Sequence, residues 1–373
     1  MLYLVLLVIL GGCVVIIYQL IQSFGFKNVE YTLHFSADEV AEGDTVILTE
    51  TICSKKILPI PWLKAELTTH SALEFAQHQS TISKETRFLS SYYFLRPYRQ
   101  IERQWQVKCT KRGVFSVYNA ILVISDLLGT QENSKKFPDA HAELTVLPKP
   151  AVADALPSPA VLCMTGDSIL RTHFLPDRFA VDGIKPYEYG DNLRDVCQTA
   201  SARSESLMVY RYTDTADPTM TVLLGLATKD YDFERVSDTE AYEQAIRIAC
   251  KYLCDATAAR IPVRFCANTT LDGIAVSSLF GTGDAHTLLL RRLLSQLPDT
   301  ITERVENTLY RVLSSDHTSS VVLVTAHLTE QMLRIAADCP RLHIVCVRHL
   351  PVNITLNNVY SAADAESKGS TAS

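Results

Sequence analysis

The side chains best suited to recognition or proton transfer are concentrated between Arg178 and Arg203. That stretch contains Gly183-Ile184-Lys185-Pro186-Tyr187-Glu188-Tyr189-Gly190-Asp191-Asn192-Leu193-Arg194, followed by Ala200-Ser201-Ala202-Arg203. Charges of both signs alternate with tyrosines, and Gly190-Asp191 supplies a turn whose carboxylate can cap nearby amides. Three roles fit this composition. Asp191, Arg194 and Arg203 can pair with one another and fix a long loop. The stretch can present a docking surface for a partner. Glu188 or Asp191 can serve as an acid or base if a cleft shifts its carboxyl.

Other fragments carry less chemistry. Gly281-Thr282-Gly283-Asp284 precedes a helical pattern but lacks the Gly-Lys-Ser/Thr ending of a phosphate loop, and Asp284 would repel phosphate, so it reads as a helix N-terminus. His327 follows an apolar strand pattern, at the strand end where α/β sheets place ligand sites, yet a lone histidine there is more often packed or solvated. Asn268-Thr269-Thr270 and Asn353-Ile354-Thr355 match the glycosylation pattern, which carries information only for a surface loop of a secreted protein. There is no HExxH motif and no Ser/His/Asp order to name a nucleophile, so the chain is expected not to be an enzyme and to need no cofactor.

Two kinds of elements are expected to position these residues. From residue 27 to 150 the pattern is β. Tyr31–Ser36, Thr45–Ile52, Gln104–Thr110, Val114–Tyr118 and Ala120–Ile124 read as short strands, with turns at Glu42-Gly43-Asp44 and Arg112-Gly113. Pro59 and Pro61 mark a loop or an edge. This predicts a β-sandwich, immunoglobulin-like module. Residues 151–218 read as a linker plus the charged loop. From 219 to 352 strands alternate with helices. Thr219–Leu226, Pro262–Ala267, Ser320–Thr325 and Leu342–Val347 are apolar enough to be buried on both faces, which predicts a mainly parallel α/β sheet. Helices are predicted from a capping box at Ser237–Glu240, and over Ala285–Leu297, Ile301–Leu313 and Thr329–Asp338. Residues 353–373 are expected to be a disordered tail.

Bulk properties exclude some classes. Among 373 residues, 47% are hydrophobic and 20% charged, so extensive disorder is excluded. A net charge of -6 and the lack of basic clusters argue against a nucleic-acid surface. Residues 1–26 carry no charge, and residues 2–22 are long enough to contact lipid as a single-pass transmembrane helix. A cleaved signal would need a basic start and a small-residue cleavage site. A lipoprotein reading of Leu10-Gly11-Gly12-Cys13 conflicts with the apolar residues that follow. Lys27 follows the apolar segment and no basic residue precedes it, which favours cytoplasmic placement of the rest. Ten cysteines without CxxC spacing fit a reducing compartment and no zinc site.

The run Gly183 to Arg194, with Ala200-Ser201-Ala202-Arg203, resembles the signature of bacterial domain-of-unknown-function family 58. That signature is roughly Gly-x-Arg-x-Tyr-x-x-Gly-Asp-x-x-Arg-x-Ile-x-Trp, then a small residue, Ala and Arg. Leu58-Pro59-Ile60-Pro61-Trp62-Leu63, Arg112-Gly113-Val114-Phe115 and Asp126-Leu127-Leu128-Gly129 resemble other segments of such proteins, in the same order. Lys185 stands where the family usually has Arg, and Gln198 where it has Trp.

The resemblance implies an immunoglobulin-like region followed by a von Willebrand factor A-like domain in a membrane protein. It also implies a partner, an AAA+ ATPase of the MoxR type. Its signature residues here are Gly183, Lys185, Tyr187, Gly190, Asp191, Arg194, Ala202 and Arg203. Domains of that kind often hold Mg²⁺ through Asp-x-Ser-x-Ser after the first strand. The matching stretch is Gly225-Leu226-Ala227-Thr228-Lys229, where Gly225 removes a carboxylate, Ala227 removes a hydroxyl and Lys229 adds positive charge; Asp230 is only a displaced candidate. The expected function is therefore a membrane-anchored, non-enzymatic adaptor with a degenerate metal site. The alternative is an outward-facing, divalent-metal-dependent binding or adhesion module.

Overall fold

A computed structural model describes residues 25–76, 81–83, 85–125, 132–153, 156–164, 176–204, 206–214, 218–316, 318–350 and 356–363, together with positions 3, 9 and 12. Most of the expected anchor lies outside the described residues, and so does Asp126-Leu127-Leu128-Gly129. Among the described residues no helix is long and apolar enough to cross a membrane. The chain divides into two compact units. One comprises Met1–Lys149 with Arg291–Gln296, the other Pro150–Leu290 with Leu297–Ser373.

The first unit is β-rich. Its strands are β1 (Val29–Phe35), β2 (Glu39–Ala41), β3 (Thr45–Ser54), β4 (Ile60–His70), β5 (Leu73–Phe75), β6 (Thr81–Ser83), β7 (Thr86–Leu95), β8 (Gln100–Cys109), β9 (Gly113–Ser125), β10 (Glu132–Lys136) and β11 (Ala142–Leu147). One sheet runs β1-β3-β8-β5; the other runs β2-β11-β9-β4-β7-β6, with β10 also on β9. All pairs are antiparallel except β2 with β11. Alternation decides which side chains face inward: β1 buries Val29, Tyr31, Leu33 and Phe35 in turn. These residues share one core with Leu63, Leu67, Val117 and Leu144 of the other sheet.

The proline-flanked stretch corrects the sequence reading. Pro59 does lie in the loop before β4, but from Ile60 onward the stretch is neither loop nor edge, because β4 lies between β9 and β7. The register shifts between Ile60 and Leu63, so Pro61 sits in an irregularity where the ladder does not need its missing N–H.

The second unit contains β12 (Pro176–Pro186), β13 (Met208–Asp214), β14 (Met220–Gly225), β15 (Val263–Leu271), β16 (Ile274–Ser277), β17 (Ser320–Thr325), β18 (Leu342–Cys346) and β19 (Val359–Ser361). The main sheet runs β16-β15-β14-β17-β18-β19. It is parallel apart from the edge strand β16. Every residue of β14, β17 and β18 is buried, as a strand covered on both faces requires. The helix Thr239–Ala258 packs on β14, β15 and β17 through a face that includes Tyr242, Ile246, Ala249 and Leu253. The helices Val305–Ser315 and Glu330–Asp338 share a separate core cluster with Leu223, Leu323 and Ile344.

Four boundaries differ from expectation. Residues 151–218 are not simply linker and loop: they include the helix Pro159–Met164 and the antiparallel pair β12–β13. The predicted helix over Ile301–Leu313 begins at Val305, because the amides of Ile301 and Thr302 bond to Glu234 and Asn268 carbonyls in place of a helical turn. The helix at 239 is capped by Asp238, whose carboxylate accepts from the Ala241 amide; Ser237 is drawn away to Asp232. The expected tail over 353–373 is partly ordered, since Val359–Ser361 pairs in parallel with β18 and buries Val359, Ser361 and Ala362.

Candidate functional site

In open parallel sheets, ligands bind outside the carboxyl ends of the strands, where the chain order reverses. Here that point lies between β14 and β17. A cleft of about 630 Å³ opens there, lined among others by Lys229, Asp230, Phe233, Arg304, Glu306 and His327.

The loop leaving β14 is organised by Asp232. Its carboxylate accepts from the Thr228 amide at 2.9 Å, the Thr228 hydroxyl at 2.5 Å, the Lys229 amide at 3.1 Å and the Ser237 amide at 3.3 Å, and also from the Ser237 hydroxyl. Burial would raise this carboxyl, but the bonds from Ser237 and Thr228 outweigh it and hold Asp232 down at about 2. Three other carboxylates of the cleft also have protein donors, while Glu330 is exposed and only loosely paired with Arg334 at 3.6 Å. Glu306 accepts from Thr329 at 2.6 Å, Glu303 from Thr308 and Arg311, and Asp230 pairs with His327 at 2.7 Å.

Gly225, Ala227 and Lys229 each have defined surroundings at and beyond the end of β14. At Gly225, a Cβ would stand 3.1 Å from both the Thr325 hydroxyl and a methyl of Val305. Any longer side chain there must displace packed atoms. Ala227 is half-buried on the cleft wall. The Lys229 ammonium lies 5.7 Å from the centre of the Tyr231 ring. Asp230 is 85% exposed in its side chain and engaged by His327. Among the described residues, no group of three or more His, Cys, Asp or Glu side chains could hold a metal ion. Gly225→Asp is expected to destabilise the α/β unit by about 1–3 kcal/mol through overpacking, without creating Mg²⁺ affinity. Thermal unfolding with and without Mg²⁺ checks this, and a melting temperature that rises with Mg²⁺ would contradict it.

The signature residues lie on and beyond the β12–β13 hairpin. Gly183 and Lys185 are on β12, facing Arg211 and Val209 of β13 in register. The Tyr187 amide continues the pairing to the Leu207 carbonyl at 2.8 Å. Lys185 reaches Asp191 at 2.9 Å, while the other oxygen of Asp191 accepts from the Glu188 amide at 2.9 Å. These bonds close the turn, with the Lys185 bond first among the causes that hold the Asp191 carboxyl below its usual range. Gly190 has φ +113°, a conformation that favours glycine. Arg194 sits in a 3₁₀ turn capped by Asn192, and Ala202 and Arg203 follow the short helix Gln198–Ser201.

The structure thus brings Lys185 and Asp191 together but does not join Asp191 to Arg194 and Arg203. Both arginines are exposed, and among the described residues neither forms an ion pair. Sequence reasoning missed two features. Ser201 fastens the helical turn to β13, since its hydroxyl donates to the Cys197 carbonyl and accepts from the Met208 amide, each at 2.8 Å. Tyr189 is 105% exposed, and Leu193 beside Arg194 is also exposed, so an apolar and aromatic element accompanies the arginines.

No family model matches the chain, and no curated protein matches it. Among solved structures, it is similar to a trypsin-activated α-2-macroglobulin from Escherichia coli (TM-score 0.24, 19% identity, 33% of this chain), of which it spans 7% of the length. It is also similar to a non-cellulosomal cohesin from Archaeoglobus fulgidus (TM-score 0.22, 12% identity, 32% of this chain and 91% of that one). A CARDB domain from Pyrococcus furiosus, solved with di-metal ions, matches at TM-score 0.22 and 12% identity over 33% of this chain and 90% of that domain.

Proposed function

We propose that this chain is a membrane-anchored, non-enzymatic adaptor whose β12–β13 hairpin docks a protein partner. The observation that carries the reading is Tyr189, Leu193, Arg194 and Arg203, all exposed, on a connection whose turn is closed by Lys185 and Asp191. Tyrosine and arginine dominate binding hot spots, and a preformed turn lowers the ordering cost of binding. Residues 2–22 serve as the lipid anchor, with the two units on the cytoplasmic side.

The finer assignments belong to the same proposal. The β-rich unit is immunoglobulin-like. The α/β unit is von Willebrand factor A-like, a reading supported by the central β14, the antiparallel edge β16 and helices on both faces. The sequence signature supports membership of family 58 and, with it, a MoxR-type AAA+ ATPase as the partner. In such an adaptor the cleft beyond β14 is a structural relic, most of its carboxylates held by protein donors.

The test is capture of the ATPase by the full chain in solubilised membranes. Arg194→Ala with Arg203→Ala is expected to weaken capture at least tenfold, about 1.4 kcal/mol, with thermal unfolding unchanged. Undiminished capture would remove the hairpin from the interface.

A further inference from the structure

The sandwich has one end whose surface the adaptor reading does not use. Three segments meet there. The Lys55 amide bonds to the Asn28 carbonyl at 2.9 Å, the Tyr98 amide to the Lys56 carbonyl at 3.2 Å, and the Ser54 amide to the Arg99 carbonyl at 2.9 Å. The Lys56 ammonium caps the Gly25 carbonyl, and Phe26 packs edge-on against Phe137 at 6.5 Å. The uncharged run of the sequence therefore joins the folded unit at this end, with Lys27 the first charge after it.

Around the junction the surface is aromatic and basic. Trp62 is 55% exposed, and Ile57, Phe94 and Tyr98 are exposed with it. Trp62 and Phe94 are brought to the same level by the pairing of Leu63 with Tyr93. Lys27, Lys55, Arg96 and Arg99 are exposed beside them. Among the described residues, the carboxylates placed nearest the strand termini at this end are Glu30, bound to Lys55, and Glu132, on the strand facing Ser125. Among the described residues basic side chains therefore outnumber acidic ones here, although the whole chain carries -6. Aromatic side chains at the headgroup level, flanked by Lys and Arg, are what an anionic bilayer surface selects.

We propose that this end of the sandwich is a contact surface for anionic phospholipid, with Trp62, Phe94 and Tyr98 seated at the headgroup level and Lys27, Lys55, Arg96 and Arg99 meeting the phosphates. The proposal rests on the reading of residues 2–22 as an anchor, because a surface tethered this closely to lipid meets it at high effective concentration. The contact fixes the first unit against the membrane.

The chain has two tryptophans, and Trp105 is buried in the sandwich core, so Trp62 is the natural reporter. The full chain is reconstituted in vesicles of phosphatidylcholine, alone or mixed equally with phosphatidylglycerol, carrying acyl-brominated lipid as a quencher. Quenching is expected with phosphatidylglycerol, weaker without it, and lost in Trp62→Phe. Each basic side chain near an anionic surface contributes about a factor of five, so Lys55→Gln with Arg96→Gln and Arg99→Gln should weaken the contact about a hundredfold. Alkaline extraction, read separately, reports on the anchor. If the protein resists alkali but Trp62 is not quenched, or the triple variant is quenched equally, the surface proposal is overturned and the anchor stands. Trp62 shielded from both lipid and aqueous quenchers would mean a protein covers this end, which also overturns it. Release by alkali would overturn the anchor; quenching that persists at neutral pH would then still support the surface, and its absence would overturn it.

Discussion

Replacing Glu50 with alanine should destabilise the sandwich by about 4 kcal/mol, a large effect for one substitution. Glu50 is 1% exposed in the middle of β3. One oxygen accepts from the Tyr31 hydroxyl at 2.7 Å; the other accepts from the Tyr93 hydroxyl at 2.5 Å and the Trp105 indole N–H at 3.2 Å. The Arg103 guanidinium lies 4.0 Å from the Trp105 ring centre and covers the cluster. Burial, and then Glu50 itself, pushes the Tyr31 and Tyr93 hydroxyls well above their usual range, so both remain donors at any ordinary pH. Removing the acceptor takes the carboxylate from the buried Tyr31 hydroxyl and Trp105 indole and from the half-buried Tyr93 hydroxyl, at about 1–3 kcal/mol for each donor left unsatisfied, partly recovered by other partners, relaxation or water. Glu50→Gln keeps one acceptor oxygen and should cost about half as much. Urea unfolding followed by Trp105 fluorescence measures both. An alanine variant as stable as the parent would show that water replaces the carboxylate without penalty.

Asp232→Asn should cost about 2 kcal/mol near neutral pH and flatten the acid response of the α/β unit. The sign follows from the direction of the shift. A carboxyl lowered from 3.8 to about 2 on folding stabilises fully above the unfolded value, and that contribution is lost as pH falls towards about 2. At about 1.4 kcal/mol per unit, the shift corresponds to roughly 2 kcal/mol, present above about pH 4 and progressively absent below it. Asp316 is also held at about 2: burial opposes this, and bonds from Thr318 and Ser319 outweigh it, so its own share of the acid response remains in the variant. Circular dichroism during acid titration reads the change. Parallel titration curves for parent and variant would exclude Asp232 as the origin.

Much of this architecture was legible because burial writes itself as periodicity. Three of the buried parallel strands, β14, β17 and β18, appear as short, mostly apolar runs, and Trp105, Val107 and Cys109 alternate along β8 as a half-buried strand requires. What was hidden had physical reasons. β4 carries Pro61 as its second residue, where a register irregularity accommodates it. The β12–β13 pair combines glycine, proline and register shifts, so its alternation is broken. β19 is a three-residue edge strand, too short to show a period.

Glu50 was readable in hindsight. It shares inward parity with Leu48 and Ile52, and a charged residue on the core side of an alternating strand announces buried partners. At the candidate site, the signature residues were named from sequence, but their pairing was not. The choice of Lys185 over the arginines as the partner of Asp191 depends on the hairpin register, which spacing along the chain does not encode.

The central claim is that the arginines freed by that pairing meet a partner. The most direct measurement is the affinity of the purified MoxR-type ATPase for the full chain in lipid nanodiscs, parent against Arg194→Ala with Arg203→Ala. The account predicts saturable binding by the parent and a dissociation constant at least tenfold higher for the variant. Equal affinities, or no binding by the parent, would contradict it.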